Sequence, residues 1–152
     1  MHTRLATIDD KATLVALGER AYTEARYDRY PFNRAKLEQL FDRTQTLAPA
    51  MFSIVLVDND RLVGMVVGLV TEHFFADMIY ATFLALYVEP DKRGGFGAFK
   101  LLRHFEEECI ARGADEILVG NSSNVAPART VDLFHRLGYS IVGANAVKYI
   151  GD

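Results

Sequence analysis

Apolar residues recur along the chain with two different periods, and the switch between them marks out its elements. Residues 1–6 suit a short strand. Thr7-Ile8-Asp9-Asp10 then reads as a helix start, with Thr7 at the N-cap and the Asp10 carboxylate near the orphan amides. Leu14, Val15, Leu17, Ala21 and Tyr22 keep helical spacing to about Ala25. Pro31 biases Tyr30 away from the helical region, and Asn33 is placed to cap a second helix carrying Leu37, Leu40 and Phe41. From Met51 the pattern becomes that of strands. Residues 51–57 and 62–70 flank the turn-forming Asp58-Asn59-Asp60 as a hairpin, and residues 78–88 make a third strand. The stretch 62–70 is almost continuously apolar, which predicts a central strand covered on both faces. Residues 116–120 read as another buried strand. Pro127 opens a helix with Val131, Phe134 and Leu137 on one face and Gly138 just past its end, and residues 139–142 and 146–150 read as two short closing strands.

The chain has 152 residues, enough for one domain with a real core, and no repeat or linker divides it, so residues 1–152 are expected to form a single domain. A hydrophobic content of 50% with mixed charge argues for a folded globule. The net charge of -3 argues against a nucleic-acid partner and slightly favours a cationic ligand by long-range attraction. No apolar run reaches the roughly 18 to 20 residues needed to cross a bilayer, and the N-terminus lacks a signal-peptide core, so a cytoplasmic protein with no membrane partner is expected. The single cysteine, Cys109, fits a reducing compartment. It falls on the apolar face of the helix after residue 97, with Ala98, Leu101, Leu102 and Phe105, and reads as a buried small residue. His2, His73, His104 and His135 show no metal-ligand spacing, so no metal is expected.

The stretch with most chemical content runs from Leu84 to Arg112. An apolar strand ends at Val88-Glu89-Pro90, passes through Lys92-Arg93-Gly94-Gly95-Phe96-Gly97, and continues as an amphipathic helix. Glycines let such a loop curl with its N–H groups inward, and the helix start adds unpaired donors and the positive end of its dipole. A pyrophosphate suits that place. A mononucleotide phosphate loop would need Lys followed by Ser or Thr after the last glycine, where Ala98 and Phe99 stand. A dinucleotide fingerprint would need a third glycine where Lys100 stands.

At these residues the chain resembles the GNAT (GCN5-related) N-acetyltransferase superfamily, whose signature is Arg/Gln-x-x-Gly-x-Gly/Ala after a strand ending in a Val-x-Pro-like sequence. Lysine occupies the first motif position here, unless the loop is one residue short and Arg93 takes it. The order β-α-α-β-β-β-α-β-α-β-β extends the resemblance over essentially the whole chain. It implies an α/β fold of the GNAT acyl-CoA N-acyltransferase type, with a central, mostly antiparallel sheet flanked by helices. It implies acetyl-CoA as co-substrate, its pyrophosphate on Lys92, Arg93, Gly94, Gly95, Phe96, Gly97 and Ala98. The pantetheine arm would pair with the strand at Leu86, Tyr87 and Val88, with Asn121 and Asn124 within reach of its amides. The aromatic cluster of Tyr22, Tyr27, Tyr30 and Phe32 falls where the family's substrate-determining loop lies; simple packing of helices onto the sheet is the other reading.

The implied reaction is transfer of acetyl to a primary amine by direct attack. It needs a polarised thioester carbonyl, served by a backbone N–H near Val88, and a base for the amine. Base candidates at the strand ends are Glu72, His73 and Glu89, each of which also reads as a solvated turn or loop residue. The family's thiolate acid is a tyrosine in Tyr-x-x-x-Gly-Phe. The matching stretch is Phe134-His135-Arg136-Leu137-Gly138-Tyr139, and the usual upstream asparagine is Pro127. Phenylalanine donates no proton, so a coenzyme A-binding regulatory or structural module with little catalysis is the alternative expectation. The acceptor is expected to be a small-molecule or peptide amine, polyamines and aminoglycoside-like compounds included. A homodimer through the edge of the C-terminal strands is a further expectation.

Overall fold

The computed structural model describes residues 1–151. Four strands form an antiparallel meander, β1 (His2–Leu5), β2 (Met51–Asp58), β3 (Arg61–Glu72) and β4 (Ile79–Val88), and β5 (Glu116–Ile117) adds to β4 in parallel. The sheet order is therefore β1-β2-β3-β4-β5. Helices α1 (Lys11–Glu24) and α2 (Arg34–Thr46) cover one face, while α3 (Gly97–Ala111) and α4 (Pro127–Arg136) cover the other. This mixed sheet with helices on both faces is the predicted fold class.

The local signals explain the start of each element. The Thr7 N–H donates to the Asp10 carboxylate at 2.8 Å, which fixes the entry to α1 through a 3-10 turn over Ile8–Asp10. Arg4 grips the same carboxylate and holds it below its ordinary range. The Asn33 side chain accepts from the Lys36 N–H at 3.1 Å and caps α2. Asn59 and Asp60 both take positive φ, the conformation that lets a two-residue turn match the twist of β2 and β3.

β3 is central, as its apolar run predicts, with Val63, Met65, Val66 and Val67 all buried. Gly68 is there because the Phe52 ring lies across it: a Cβ at Gly68 would sit 2.3 Å from that ring. Two apolar clusters result, one holding Phe52, Leu56, Leu101, Phe105 and Phe134 under α3 and α4, the other holding Leu14, Leu17, Phe41, Met65 and Val67 under α1 and α2.

The C-terminal part departs from expectation. The predicted strand over 116–120 pairs only through Glu116 and Ile117, and after Leu118 donates to Ala81 O at 2.9 Å the chain leaves β4. The two closing strands at 139–142 and 146–150 are not formed. Ile141, Val142, Val147 and Ile150 carry a strand-like apolar pattern but stand exposed. A strand needs a straight edge to pair with, and a two-residue β5 offers none. Among the described residues no helix is long and apolar enough to cross a membrane.

Candidate functional site

The site begins where β4 and β5 part. Their ladder holds Tyr80 against Glu116 and Ala81 against Ile117, and beyond it the outer edge of β4 runs on without a strand partner to Val88. A bulge marks the same place: Val67 opposes Ala85 and Gly68 opposes Phe83, so Leu84 is extra and β4 bends. Glu89 N–H donates back to Val63 O at 2.8 Å, so strand alternation turns the backbone of Val88, and of Leu86 two residues earlier, toward the open edge. The Val88 carbonyl accepts from Arg93 Nε at 2.7 Å on that side.

After a 3-10 turn over Pro90–Lys92 the loop reverses at Gly94, where φ is +87°. Gly95 and Gly97 have no such requirement. A Cβ on Gly95 would meet nothing within 4 Å, whereas one on Gly97 would lie 2.8 Å from Leu56 Cδ2, so Gly97 lets the first turn of α3 sit close to β2. The three glycines are therefore not equivalent, and only Gly94 is there for its backbone conformation.

Both cations of the loop are already engaged. Arg93 forms a bidentate pair with Glu24 of α1, its second nitrogen at 2.6 Å, and its guanidinium lies 5.4 Å from the centre of the Tyr87 ring. That pairing holds Glu24 below the ordinary carboxylate range and pushes Arg93 up. Lys92 Nζ meets Asp58 at 2.8 Å, which lowers the Asp58 pKa and raises that of Lys92. The motif cations thus brace the loop to α1 and to the β2–β3 turn.

A cavity of about 750 Å³ opens beside this loop. Of the sequence-predicted residues, Leu86, Tyr87, Val88, Lys92, Arg93, Gly94, Gly95, Ala98 and Asn121 line it. Phe96, Gly97 and Asn124 do not; Phe96 is 67% exposed and caps α3 from outside. Asn121 organises its own loop: its amide donates to Val125 O at 2.9 Å and to Thr130 Oγ1 at 3.2 Å, and its oxygen accepts from Ser123 and from Asn124 N–H.

The carboxylate candidates lie elsewhere. Glu89 is buried and held by Arg20 and by Arg61, the latter at 2.6 Å, outside the cavity lining. Glu72 opposes Ile79, eight residues along β3 from the Gly64–Val88 pair, or about 26 Å of strand away. Its neighbour His73 accepts from the Phe75 and Ala76 N–H groups at 3.4 and 3.2 Å, serving the turn there. Periodicity cannot say toward which end of a sheet a strand terminus lies, and this is why Glu72 looked close.

On α4, Phe134 is 4% exposed and packs against Tyr139 and against Phe83, which lines the cavity, while Phe134 itself is not part of the lining. A tyrosine there would bury its hydroxyl in the core. The Tyr139 hydroxyl is itself buried without a hydrogen-bond partner among the described residues, and burial raises its pKa, with the Glu106 carboxylate adding to the effect. Cys109 is buried and its thiol pushed up to about 12, mainly by desolvation, which makes it inert. His135 is exposed and outside the lining, in keeping with its helix phase.

Two features were not anticipated. Arg129 and Arg136 of α4 line the cavity, and a Cβ on Gly94 would come within 3.4 Å of the Arg129 guanidinium. Their spacing of seven residues places both on one helix face, a signal the sequence does carry. In addition, the segment after α1 ties to the loop after β5: Arg26 N–H donates to Ser123 O at 3.2 Å, and Tyr27 Oη donates to Ser122 Oγ at 2.8 Å.

Comparison with known proteins agrees with this architecture. No curated protein matches the chain in sequence. A ribosomal-protein-alanine N-acetyltransferase from Brucella melitensis biovar Abortus 2308 superposes with a TM-score of 0.73 at 16% identity, over 99% of this chain and 100% of that one. A predicted acetyltransferase from Clostridium acetobutylicum, solved with acetyl-CoA, gives 0.76 at 15% identity over 98% and 96%. An aminoglycoside acetyltransferase from an uncultured soil metagenomic sample gives 0.72 at 16% identity over 98% and 97%. At such identities these likenesses establish the shared fold. The sequence pattern that matches residues 16–139, from within α1 through the splayed edge, the glycine loop and α4, carries the further step: the chain belongs to the acetyltransferase (GNAT) family.

Proposed function

We propose that this protein transfers an acetyl group from acetyl-CoA to a primary amine by direct attack. The observation that carries the reading is the unpaired edge of β4 at Leu86 and Val88, running into the Gly94 turn and the start of α3 beside a cavity of about 750 Å³. An extended pantetheine arm has amide groups to pair with such an edge. The pyrophosphate would lie on the loop N–H groups with Arg129 against it.

The outward Val88 N–H is suited to polarise the thioester carbonyl. The neutral amine attacks the carbonyl carbon, the C–N bond forms and the C–S bond breaks, and the thiolate leaves. Glu24 is committed to Arg93, and Glu89 to Arg20 and Arg61, so we assign to water the roles of acceptor of the amine proton and donor to the thiolate. Asn121 and Asn124 shape the adjoining loop, Asn121 directly through its four hydrogen bonds. A cytoplasmic setting suits the buried, unoxidised Cys109.

A second reading rests on Phe134. With no tyrosine at that position and its side chain in the core, a protein that binds coenzyme A for regulation, with little turnover, is favoured by the same fact. Isothermal titration with acetyl-CoA and with free coenzyme A, without acceptor, tests what both readings share. Micromolar binding of both is expected; binding of neither overturns both. Thiol release on adding an amine then separates the enzyme from the binding module.

A further inference from the structure

The charge of the whole chain is a poor guide to the charge of its cavity. The chain carries a net -3, yet the cavity is lined by four cations, Lys92, Arg93, Arg129 and Arg136, against two carboxylates, Glu24 and Asp132. Neither carboxylate belongs to the wall formed by α2 and β3. Glu24 has both oxygens on Arg93, and Asp132 stands on α4, one helical turn from Arg129 and one from Arg136. The end of the cavity under α1 and α2 is instead apolar, formed by Ala21, Leu37, Leu40, Phe41, Met65 and Val67. On the outer side of Leu37 and Leu40 a second hollow of about 350 Å³ continues the same character with Tyr22, Pro31 and Phe32, and its one charged residue is Lys36. The Tyr22 and Phe32 rings meet in a tilted pair with centroids 5.1 Å apart, and the Tyr22 hydroxyl is spent on the carbonyls of Asp28 and Tyr30.

Resting on the acetyl-transfer reading, we infer that the acceptor is a monoamine with an aliphatic or aromatic body, held between α1, α2 and the β3–β4 face, and not a polyamine or other polycation. A second ammonium group in that region would lose its hydration without meeting a free carboxylate, and would face Lys36 and Arg93. An aromatic or aliphatic body would replace water against six apolar side chains. The neutral amine that attack requires is easier to hold in such surroundings, because burial favours the uncharged form.

The experiment is thiol release from acetyl-CoA by the full chain with phenethylamine and with spermidine as matched acceptors. Acetyl-CoA titration and octanoyl-CoA as an alternative donor are run beside it. A kcat/KM for phenethylamine about tenfold or more above that for spermidine is expected from burial of one phenyl group. Leu40→Asp is expected to reverse that order while leaving acetyl-CoA affinity within about threefold. Where Leu40→Asp fails to fold, Leu37→Gln is the milder variant, expected to narrow the ratio. A spermidine preference in the wild type overturns the inference and leaves acetyl transfer standing. So does acetyl-CoA binding with turnover of neither amine and no thermal shift from phenethylamine. A marked preference for octanoyl-CoA also overturns it, because the apolar end would then hold the acyl chain. Failure to bind acetyl-CoA at all overturns the proposed function itself.

Discussion

Two pairs of cations face the same cavity and behave differently. Lys92 and Arg93, from the glycine loop, are closed onto Asp58 and Glu24. Arg129 and Arg136, from α4, have no carboxylate partner among the described residues; Arg136 lies 5.8 Å from the centre of the Phe99 ring. A cation already paired gives a polyanion little, since binding must first break the existing pair. An unpaired guanidinium beside the loop donates at once. The difference teaches that the residues a motif highlights can serve as the frame of a site while the charge facing the ligand comes from an element distant in sequence.

The sharpest test of the frame separates its glycines. Gly94→Val forces a β-branched residue to φ +87° and pushes a side chain toward Arg129, a strain of roughly 1–3 kcal/mol. Acetyl-CoA affinity is expected to fall by roughly five- to a hundredfold, with the far-ultraviolet circular dichroism unchanged. Gly95→Val, where φ is not positive and a Cβ meets no protein atom within 4 Å, is expected to leave the loop conformation intact and to cost less affinity than Gly94→Val. Equal losses in the two variants would mean that the loop binds through something other than its backbone conformation.

The next test divides the cations. Arg129→Ala removes a charged donor and is expected to weaken acetyl-CoA binding by about tenfold and to flatten its salt dependence. Lys92→Ala removes a cation already neutralised by Asp58, and a change within about threefold is expected. Titration of both variants at two ionic strengths decides it. A larger loss in Lys92→Ala would restore the motif lysine as the anchor and demote α4 to scaffold.

Much of the frame could be read from the residues, because it rests on short-range rules. Thr7 with Asp10, Asn33, the Asp58-Asn59-Asp60 turn and the apolar run of β3 are local signals, and each is realised in place. The resemblance in the loop adds the family. What stayed hidden depends on which distant parts meet. That Glu24 would capture Arg93, 69 residues on, is invisible to periodicity. So is the capture of Glu89 by Arg20 and Arg61, which turns a candidate base into a buried ion-pair centre. The closing strands failed for a related reason: the alternation in 139–150 shows willingness to be a strand, but the strand forms only if an edge is available, and β5 stops after Ile117. Cavity character is likewise a sum over four elements, and net charge could only mislead about it.

The smallest effect concerns the brace itself. The Glu24–Arg93 pair is partly exposed, so its contribution is screened and is about 0.2–1 kcal/mol. Hydrogen bonding to Arg93 depresses the folded-state pKa of Glu24 below its ordinary value of 4.5. A depressed carboxylate stabilises the fold above its unfolded value and loses that contribution as pH falls through the folded one. Glu24→Gln is therefore expected to lower Tm by about 1–3 °C at neutral pH, with the gap to wild type closing only below pH 4.5. The same substitution releases Arg93 into the cavity, which should leave acetyl-CoA affinity unchanged or raise it by up to about threefold. A loss of affinity would instead mean that the pairing with Glu24 is what holds the loop in its binding shape, and the line between frame cations and ligand cations would then run through Arg93 itself.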